Sequence, residues 1–362
     1  MNTNTSRQNP AEWDEDAQLL SHTARDLPMG RHQFHKERLM ARIQQEQRTR
    51  TAASEKAGRI RLSRPAIVLP AVAAALTGAV IAVVASPAGN GAGSGGVATG
   101  PALTTTVGAA TTKGVPQLLD RISLAAAETS HPAVKPGQYI YIESRAADTF
   151  TRSVGDKTTL ASHELHRRQI WNSPDGTKGW LIDPAVNDSP EGETLSLPDE
   201  QGNPREAGLN GPSYDYLAKL TTDPDALLAK IYKEEKGHGN SPDQQAFTTI
   251  GDLLGESYPP AELYSALFKA AAKIPGVVVV QDAVDAVGRH GVAVARLDET
   301  SGEREEWIFD RKTHVFLGER SVQVKENSGE GALIKPGTVT YTSAIMNRAI
   351  VDGIKQTPSQ AG

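Results

Sequence analysis

One uninterrupted apolar segment constrains this chain more than any other feature of its sequence. Residues 66–85 read AIVLPAVAAALTGAVIAVVA and contain no charged side chain. A helix needs about 20 apolar residues to cross the hydrocarbon core of a bilayer. A cleaved signal peptide would start nearer the N-terminus and have a shorter apolar region, and a buried core helix would carry a polar stripe. The segment therefore predicts a transmembrane helix over residues 65–86.

Basic residues flank this predicted helix on its N-terminal side only. Arg59, Arg61 and Arg64 directly precede it, and the next charged residue after it is Lys113. Cytoplasmic flanks of membrane helices are enriched in Lys and Arg, which sets their orientation. We therefore expect a single-pass protein of the cell membrane, in contact with the lipid bilayer, with a cytoplasmic N-terminus and an extracytoplasmic C-terminal domain.

Changes in composition divide the chain into four parts. Residues 1–64 form a polar cytoplasmic segment that is partly helical, and residues 65–86 form the transmembrane helix. Residues 87–114 are rich in Gly, Ala and Thr, which predicts a flexible linker. Residues 115–355 are long enough for one hydrophobic core and predict an extracytoplasmic domain.

The cytoplasmic segment contains one narrow apolar stripe, made mainly by Phe34, Leu39 and Ile43 in the basic stretch 31–50. Such a stripe is too thin to support a core of its own. One interpretation is that these three residues dock onto a cytoplasmic partner protein, as amphipathic helices do. The other is that the basic residues hold the segment against anionic lipid. The sequence leaves both open.

The outer domain alternates between helical and strand patterns. Apolar periodicity and capping signals predict helices over 116–129, 213–220, 223–236, 241–254 and 260–273. Alternating apolar and polar residues predict strands between the first two helices, and a β-meander after residue 275. The expected fold class is α+β, with a curved antiparallel sheet and a helical block on one of its faces.

The sequence offers little chemistry. It has no cysteine, and it lacks the motifs of nucleophilic or phosphate-binding enzymes. We expect no enzyme activity, cofactor or metal, and the net charge of −5 gives no reason to expect direct nucleic-acid binding. His163 and His166 fall in one predicted strand, on opposite faces. Arg289 lies in a predicted hairpin turn and is the one candidate contact for an anionic ligand.

Three stretches of the outer domain carry a resemblance to known proteins. They are YDYLAKLTTDPDALLAKIY, IPGVVVVQDAVDAVGRHGVAV and WIFDRKTHVFLGERS. With the single span and the Gly-rich linker, the chain resembles an uncharacterised family of actinobacterial single-pass membrane proteins, often encoded beside extracytoplasmic-function sigma factors. The outer domain also looks like the half-barrel of lipoprotein carriers and of periplasmic regulators of anti-sigma factors.

Two hypotheses for the function follow. The resemblance implies a non-enzymatic extracytoplasmic sensor or regulator whose cytoplasmic segment acts on a sigma factor or another regulator. The alternative is a membrane-tethered module whose half-barrel binds a lipid or another apolar ligand, with the N-terminal segment serving only as an anchor.

Overall fold

The computed structural model describes residues 97–128, 133–154, 157–186, 190–195 and 206–358. The predicted cytoplasmic segment, the predicted transmembrane helix and the start of the predicted linker lie outside these residues. Among the helices that are described, none combines the length and the hydropathy needed to cross a bilayer.

The described residues form an α+β fold built on one open, curved antiparallel sheet. Twelve strands contribute to the sheet in this part of the chain. They are β1 (Thr99–Gly100), β2 (Ala110–Thr111), β3 (Tyr139–Val154), β4 (Lys157–His163), β5 (His166–Asn172), β6 (Gly179–Ile182), β7 (Glu193–Thr194), β8 (Val277–Val284), β9 (His290–Leu297), β10 (Glu303–Phe309), β11 (Phe316–Gln323) and β12 (Val339–Val351). The sequence-based prediction of a curved antiparallel sheet is confirmed.

Five α-helices lie between these strands in the described residues. They are α1 (Val115–Glu128), α2 (Tyr214–Leu217), α3 (Pro224–Glu234), α4 (Pro242–Glu256) and α5 (Ala261–Ala271), and a short 3₁₀ helix spans Gly329–Leu333. All five lie where the sequence predicted helices. The start of α3 shows why, because the Asp223 side chain accepts a hydrogen bond from the Ala226 amide at 2.8 Å and Pro224 occupies the first turn.

The sheet is assembled from a meander and a long crossing strand. Its strand order is β2-β8-β9-β10-β11-β12-β3-β5-β6-β7, and β4 pairs with the distal part of β3. Strand β3 is long enough to pair with β5 along its first half and with β4 along its second. The predicted β-meander over β8–β12 is confirmed.

The main hydrophobic core lies between the helices and one face of strands β8–β11. Phe247 of α4 stacks on Trp307 of β10 with ring centroids 3.8 Å apart, and both side chains are fully buried. Gly251 permits this approach, since a Cβ there would lie 2.5 Å from the Trp307 ring nitrogen. Because side chains of the helices fill this face of the sheet, the interior is dense there.

The predicted boundary of the linker requires a correction. The sequence predicted a flexible linker through residue 114, whereas residues 97–111 belong to the fold and contain β1 and β2. We call residues 97–111 the strap. Its Gly, Ala and Thr residues bury few large side chains, so hydropathy did not reveal it. The strap is held mainly by its backbone, which any residue except proline can pair through both its donor and its acceptor.

Candidate functional site

The strap connects two edges of the sheet. At its start, Thr99 and Gly100 pair with His163 and Ser162 of β4. At its end, Ala110 and Thr111 pair with β8. These two edges are separated in the sheet by β9, β10, β11, β12 and β3. The strap therefore crosses the sheet from β4 to β8, and it pairs as a strand only at its two ends.

Further hydrogen bonds hold the middle of the strap. The Leu103 carbonyl accepts from the Val339 amide at 2.9 Å, and the Thr105 amide donates to the Gly337 carbonyl at 2.8 Å. The Leu103 amide donates to the Thr149 hydroxyl at 3.0 Å. The backbone at the start of β12 and the Thr149 side chain of β3 thus hold the middle of the strap.

A buried ionic cluster lies beneath the C-terminal half of the strap. Glu306 is fully buried, and its two carboxylate oxygens accept from the Nε atoms of Arg304 and Arg320 at 2.8 and 2.7 Å. Arg304 also donates to the Gly108 carbonyl of the strap at 3.0 Å. Glu306 alternates along β10 with Trp307, which faces the helices, so the cluster and this part of the strap lie on the other face of the sheet.

A second polar cluster lies where the strap begins. His163 Nδ1 is 2.8 Å from Asp148 Oδ1, and His166 Nε2 is 3.1 Å from Asp183 Oδ1. The two imidazole rings are 6.4 Å apart, edge to face. All four side chains are at least 86% buried, because their exposed fractions range from 0% for Asp183 to 14% for His163. We call these four residues the histidine corner.

This arrangement corrects the prediction made for the two histidines. The sequence predicted one continuous strand that would separate them onto opposite faces. The chain instead ends β4 at His163 and starts β5 at His166, so residues 164 and 165 form a corner that brings the rings together. Among the described residues, no group of three or more His, Cys, Asp and Glu side chains could hold a metal ion.

The hydrogen bonds of His166 define its protonation state. Its Nδ1 lies 3.0 Å from the Glu164 carbonyl oxygen, and its Nε2 faces the Asp183 carboxylate. Both partners only accept hydrogen bonds when Asp183 is ionised, so the two contacts are satisfied together when both ring nitrogens carry a proton. Burial acts to lower the pKa of His166, but the hydrogen bond and charge of Asp183 outweigh it and raise that pKa above its usual value.

Asp183 is the negative centre of the corner. Arg168 Nε lies 3.2 Å from its second oxygen, and the Ala185 amide donates to its first at 3.0 Å. Burial acts to raise the pKa of Asp183, and the His166 hydrogen bond and Arg168 charge reverse this and lower it. Arg168 also reaches Glu256 at the end of α4, at 3.5 Å. The corner is thereby tied to the helical block.

The histidine corner contacts the strap directly through the backbone. The Glu164 amide donates to the Ala98 carbonyl at 2.8 Å, and the Ser162 hydroxyl donates to the Pro101 carbonyl at 2.7 Å. Glu164 thus accepts a hydrogen bond from the His166 ring with its carbonyl and donates one to the strap with its amide. Glu164 is therefore in contact with both the His166 ring and the start of the strap.

The sequence-predicted site residues lie elsewhere. Phe34, Leu39 and Ile43, the predicted docking residues, are outside the described residues. Arg289 lies in the predicted hairpin turn, where its guanidinium binds Asp285 at 2.6 Å and the carbonyls of Leu317 and Ile345 at 2.8 and 3.0 Å. These contacts fasten the turn to the start of β11 and to the middle of β12. They give Arg289 a structural role, and its contact with an anionic ligand stays a prediction.

Sequence reasoning missed both clusters beneath the strap. One signal was present: β10 reads EREEWIF, so charged residues occupy both faces of a strand that also carries a buried Trp. An antiparallel strand with one solvated face alternates apolar and polar residues. Charged residues on both faces of β10 therefore indicate that other parts of the chain cover both faces.

A scan against models of protein families finds no match for this chain, and a comparison with curated proteins finds none either.

Proposed function

We propose that this chain is a membrane-anchored, non-enzymatic extracytoplasmic sensor that passes a change in its outer domain to a cytoplasmic partner. The strap is the observation that carries the proposal. It is the first described part of the chain after the predicted span, and its two ends pair with β4 and with β8, which are separated by five strands of the sheet. A change in the sheet that releases or tightens the strap therefore acts directly on the chain leading to the membrane.

The distance to the predicted span favours this coupling. Eleven residues, 86–96, separate Ala85, the last residue of the apolar segment, from Val97, the first described residue. The twelve Cα-to-Cα steps from Ala85 to Val97 can cover at most about 40 Å. Release of residues 97–104 adds eight residues to this connection and lengthens its maximal reach by about two thirds. A domain held close to the membrane then becomes a domain on a long tether.

The packing of the helices favours a sensor over a lipid-binding half-barrel. The face of the sheet that would line such a cavity is covered by α4 and α5, with Phe247 and Phe268 fully buried against Trp307 and Phe309. An apolar ligand would have to displace these side chains. Lipid binding by the outer domain is therefore the second outcome of the experiments below.

On the cytoplasmic side, the proposed partner is an extracytoplasmic-function sigma factor or another regulator bound through Phe34, Leu39 and Ile43. The test is affinity purification of the full-length chain from membranes, with identification of associated proteins and lipids by mass spectrometry. We expect a sigma factor with the unaltered chain, and its loss when the three residues are replaced by Ser. Replacement of Gln33, Gln44 and Gln45 by Ser, in the same stretch, is the matched control and should retain it.

The competing outcomes are distinct. A bound lipid without any sigma factor would support the half-barrel module instead. Equal recovery of the partner from the apolar and the glutamine variants would contradict docking through Phe34, Leu39 and Ile43.

The proposed topology has its own test, because the chain contains no cysteine. A single cysteine at Thr300, which is exposed in the turn between β9 and β10, should react with a membrane-impermeant maleimide in intact cells. A single cysteine at Ser54 should react only after lysis. The reverse pattern would overturn the orientation.

A further inference from the structure

We propose that protonation of His166 controls whether the N-terminal half of the strap is docked, so that the sensor responds to pH on the extracytoplasmic side. The inference rests on the proposed function for its role in signalling. The physical switch itself rests only on the geometry of the histidine corner.

The first step is the loss of a proton from His166. In the docked state its two ring nitrogens face the Glu164 carbonyl at 3.0 Å and the Asp183 carboxylate at 3.1 Å. A neutral imidazole has one N–H and one lone pair. After deprotonation, one lone pair must therefore point at an oxygen lone pair, and one of the two contacts is lost.

The second step is transmission to the strap. Residues 164 and 165 connect the two histidines, and the Glu164 amide binds the Ala98 carbonyl. If the Glu164 carbonyl loses its partner, the corner that positions this amide is no longer fixed. The adjacent pairs, Thr99 with His163 and Gly100 with Ser162, form a strand of only two residues. So short a strand has little stability of its own.

The surrounding charges set the direction of the response. The groups around the His166 ring are Asp183 after β6, Asp148 of β3, His163 of β4 and Arg168 of β5, and Arg168 in turn reaches Glu256 of α4. Three of these five are carboxylates and one is a permanent cation. Loss of the His166 proton removes one positive charge from beside these carboxylates, which adds repulsion to the lost hydrogen bond.

The sign of the pH dependence follows. The pKa of His166 is raised in the folded state, so its contribution is complete below the usual histidine value of about 6.5. It is lost as the pH rises through the raised value. The strap is accordingly docked below about pH 6.5, and its N-terminal half is released when the pH exceeds the raised pKa of His166.

The C-terminal half of the strap behaves differently. It is held by Arg304, which binds the Gly108 carbonyl and Glu306. Arginine keeps its charge across the range in which histidine titrates. Residues 105–111 should therefore stay docked when residues 97–104 are released.

Hydrogen–deuterium exchange on the full-length chain in lipid nanodiscs tests the switch. After correction for intrinsic exchange, peptides within 97–104 should exchange about tenfold faster at about pH 9 than at about pH 6, an effect the size of one lost hydrogen bond to a charged group. Peptides within 105–111 should show no such step. The unaltered chain is sufficient for this test, because equal protection of residues 97–104 at the two pH values would overturn the proposal.

Two variants assign the effect to one side chain. H166Q removes the titrating group, so 97–104 should exchange equally at both pH values. His290 is the matched control, since it also pairs with a carboxylate, Asp282 at 3.2 Å, but is 66% exposed and lies in β9, on the side of the sheet opposite to β4, which pairs with the N-terminal half of the strap. H290Q should retain the full pH step. A step that persists in H166Q, with β8–β11 still protected, contradicts the assignment.

This experiment fails separately from the proposed function. Strap release with rising pH needs no cytoplasmic partner, and absence of a sigma factor would leave it intact. Conversely, if a cytoplasmic partner binds equally whether or not the strap is protected from exchange, the proposed function stands, but strap release by pH is not its signal.

Discussion

The two ends of the strap are held by clusters of opposite character. Glu306 with Arg304 and Arg320 forms a cluster in which both cations are arginines. The histidine corner places two histidines against Asp148 and Asp183. Both clusters are buried, and both reach the strap through a backbone group. The difference lies in which cluster contains a cation that can lose its charge, because histidine titrates and arginine does not. It teaches that one segment can combine a permanent attachment with a conditional one.

The permanent attachment gives the largest expected effect. E306Q leaves Arg304 and Arg320 buried without a negative partner, and breaking a buried ion pair in this way costs about 3–5 kcal/mol. We expect that loss in the free energy of unfolding, measured by urea denaturation of the purified chain and followed by tryptophan fluorescence. The loss should be similar at about pH 6 and about pH 9, since arginine does not titrate in this range.

E299Q is the control for this variant. Glu299 pairs with Lys325, but its side chain is 70% exposed, and such pairs contribute roughly 0–1 kcal/mol. Equal effects of E306Q and E299Q would break the comparison, because the cluster would then not behave as buried.

The conditional attachment gives an intermediate effect. D183N keeps the size of the side chain and removes the charge that faces His166 and Arg168. We expect a loss of about 1–3 kcal/mol at neutral pH, the cost of leaving buried polar partners unsatisfied. Because Asp183 raises the pKa of His166, the release of strap residues 97–104 should move to lower pH. Exchange of these residues, followed from about pH 5 to about pH 9, measures the shift.

One result of the D183N experiment would contradict this prediction. A D183N chain in which residues 97–104 open at the same pH as in the unaltered chain would show that Asp183 does not control the histidine.

The smallest expected effect is at Arg289, outside both clusters. R289A removes the contacts with Asp285 and with the carbonyls of Leu317 and Ile345. Its side chain is 38% exposed, so we expect a loss of about 1 kcal/mol in unfolding free energy. The pH step at residues 97–104 should be unchanged. A change in that step would mean that this turn belongs to the switch.

The elements of the fold followed from local patterns in the sequence. Helix α3 was predicted from Asp223, Pro224 and the apolar spacing of Leu227, Leu228 and Ile231, since capping and periodicity act within one segment. The meander was likewise predicted from alternating residues and short turns. Both signals are carried by neighbours in sequence.

The clusters could not be predicted in the same way. His166 and Asp183 lie on β5 and directly after β6, and Arg304 meets the Gly108 carbonyl across 196 positions of sequence. Contacts of this kind depend on register and on backbone groups, which composition does not record. The corner between His163 and His166 was missed because Glu164 and Leu165 belong to neither β4 nor β5. They divide what looks like one strand in the sequence into two.

The central claim is that the state of the strap reaches the cytoplasmic segment, and one disulfide tests it most directly. Gly100 and Ser162 are register partners, and a Cβ at Gly100 would lie 3.8 Å from the Ser162 hydroxyl oxygen, so cysteine side chains at these two positions would face each other. In a chain with no other cysteine, G100C with S162C locks the strap when oxidised and frees it when reduced.

The measurement is hydrogen–deuterium exchange of residues 31–50 in nanodiscs, for the oxidised and reduced forms of this one variant at the same pH. The account predicts that the two forms differ at about pH 9, where the free strap is released, and agree at about pH 6, where both are docked. Identical exchange of residues 31–50 in the two forms at about pH 9, with the strap shown to be open in the reduced form, would contradict it.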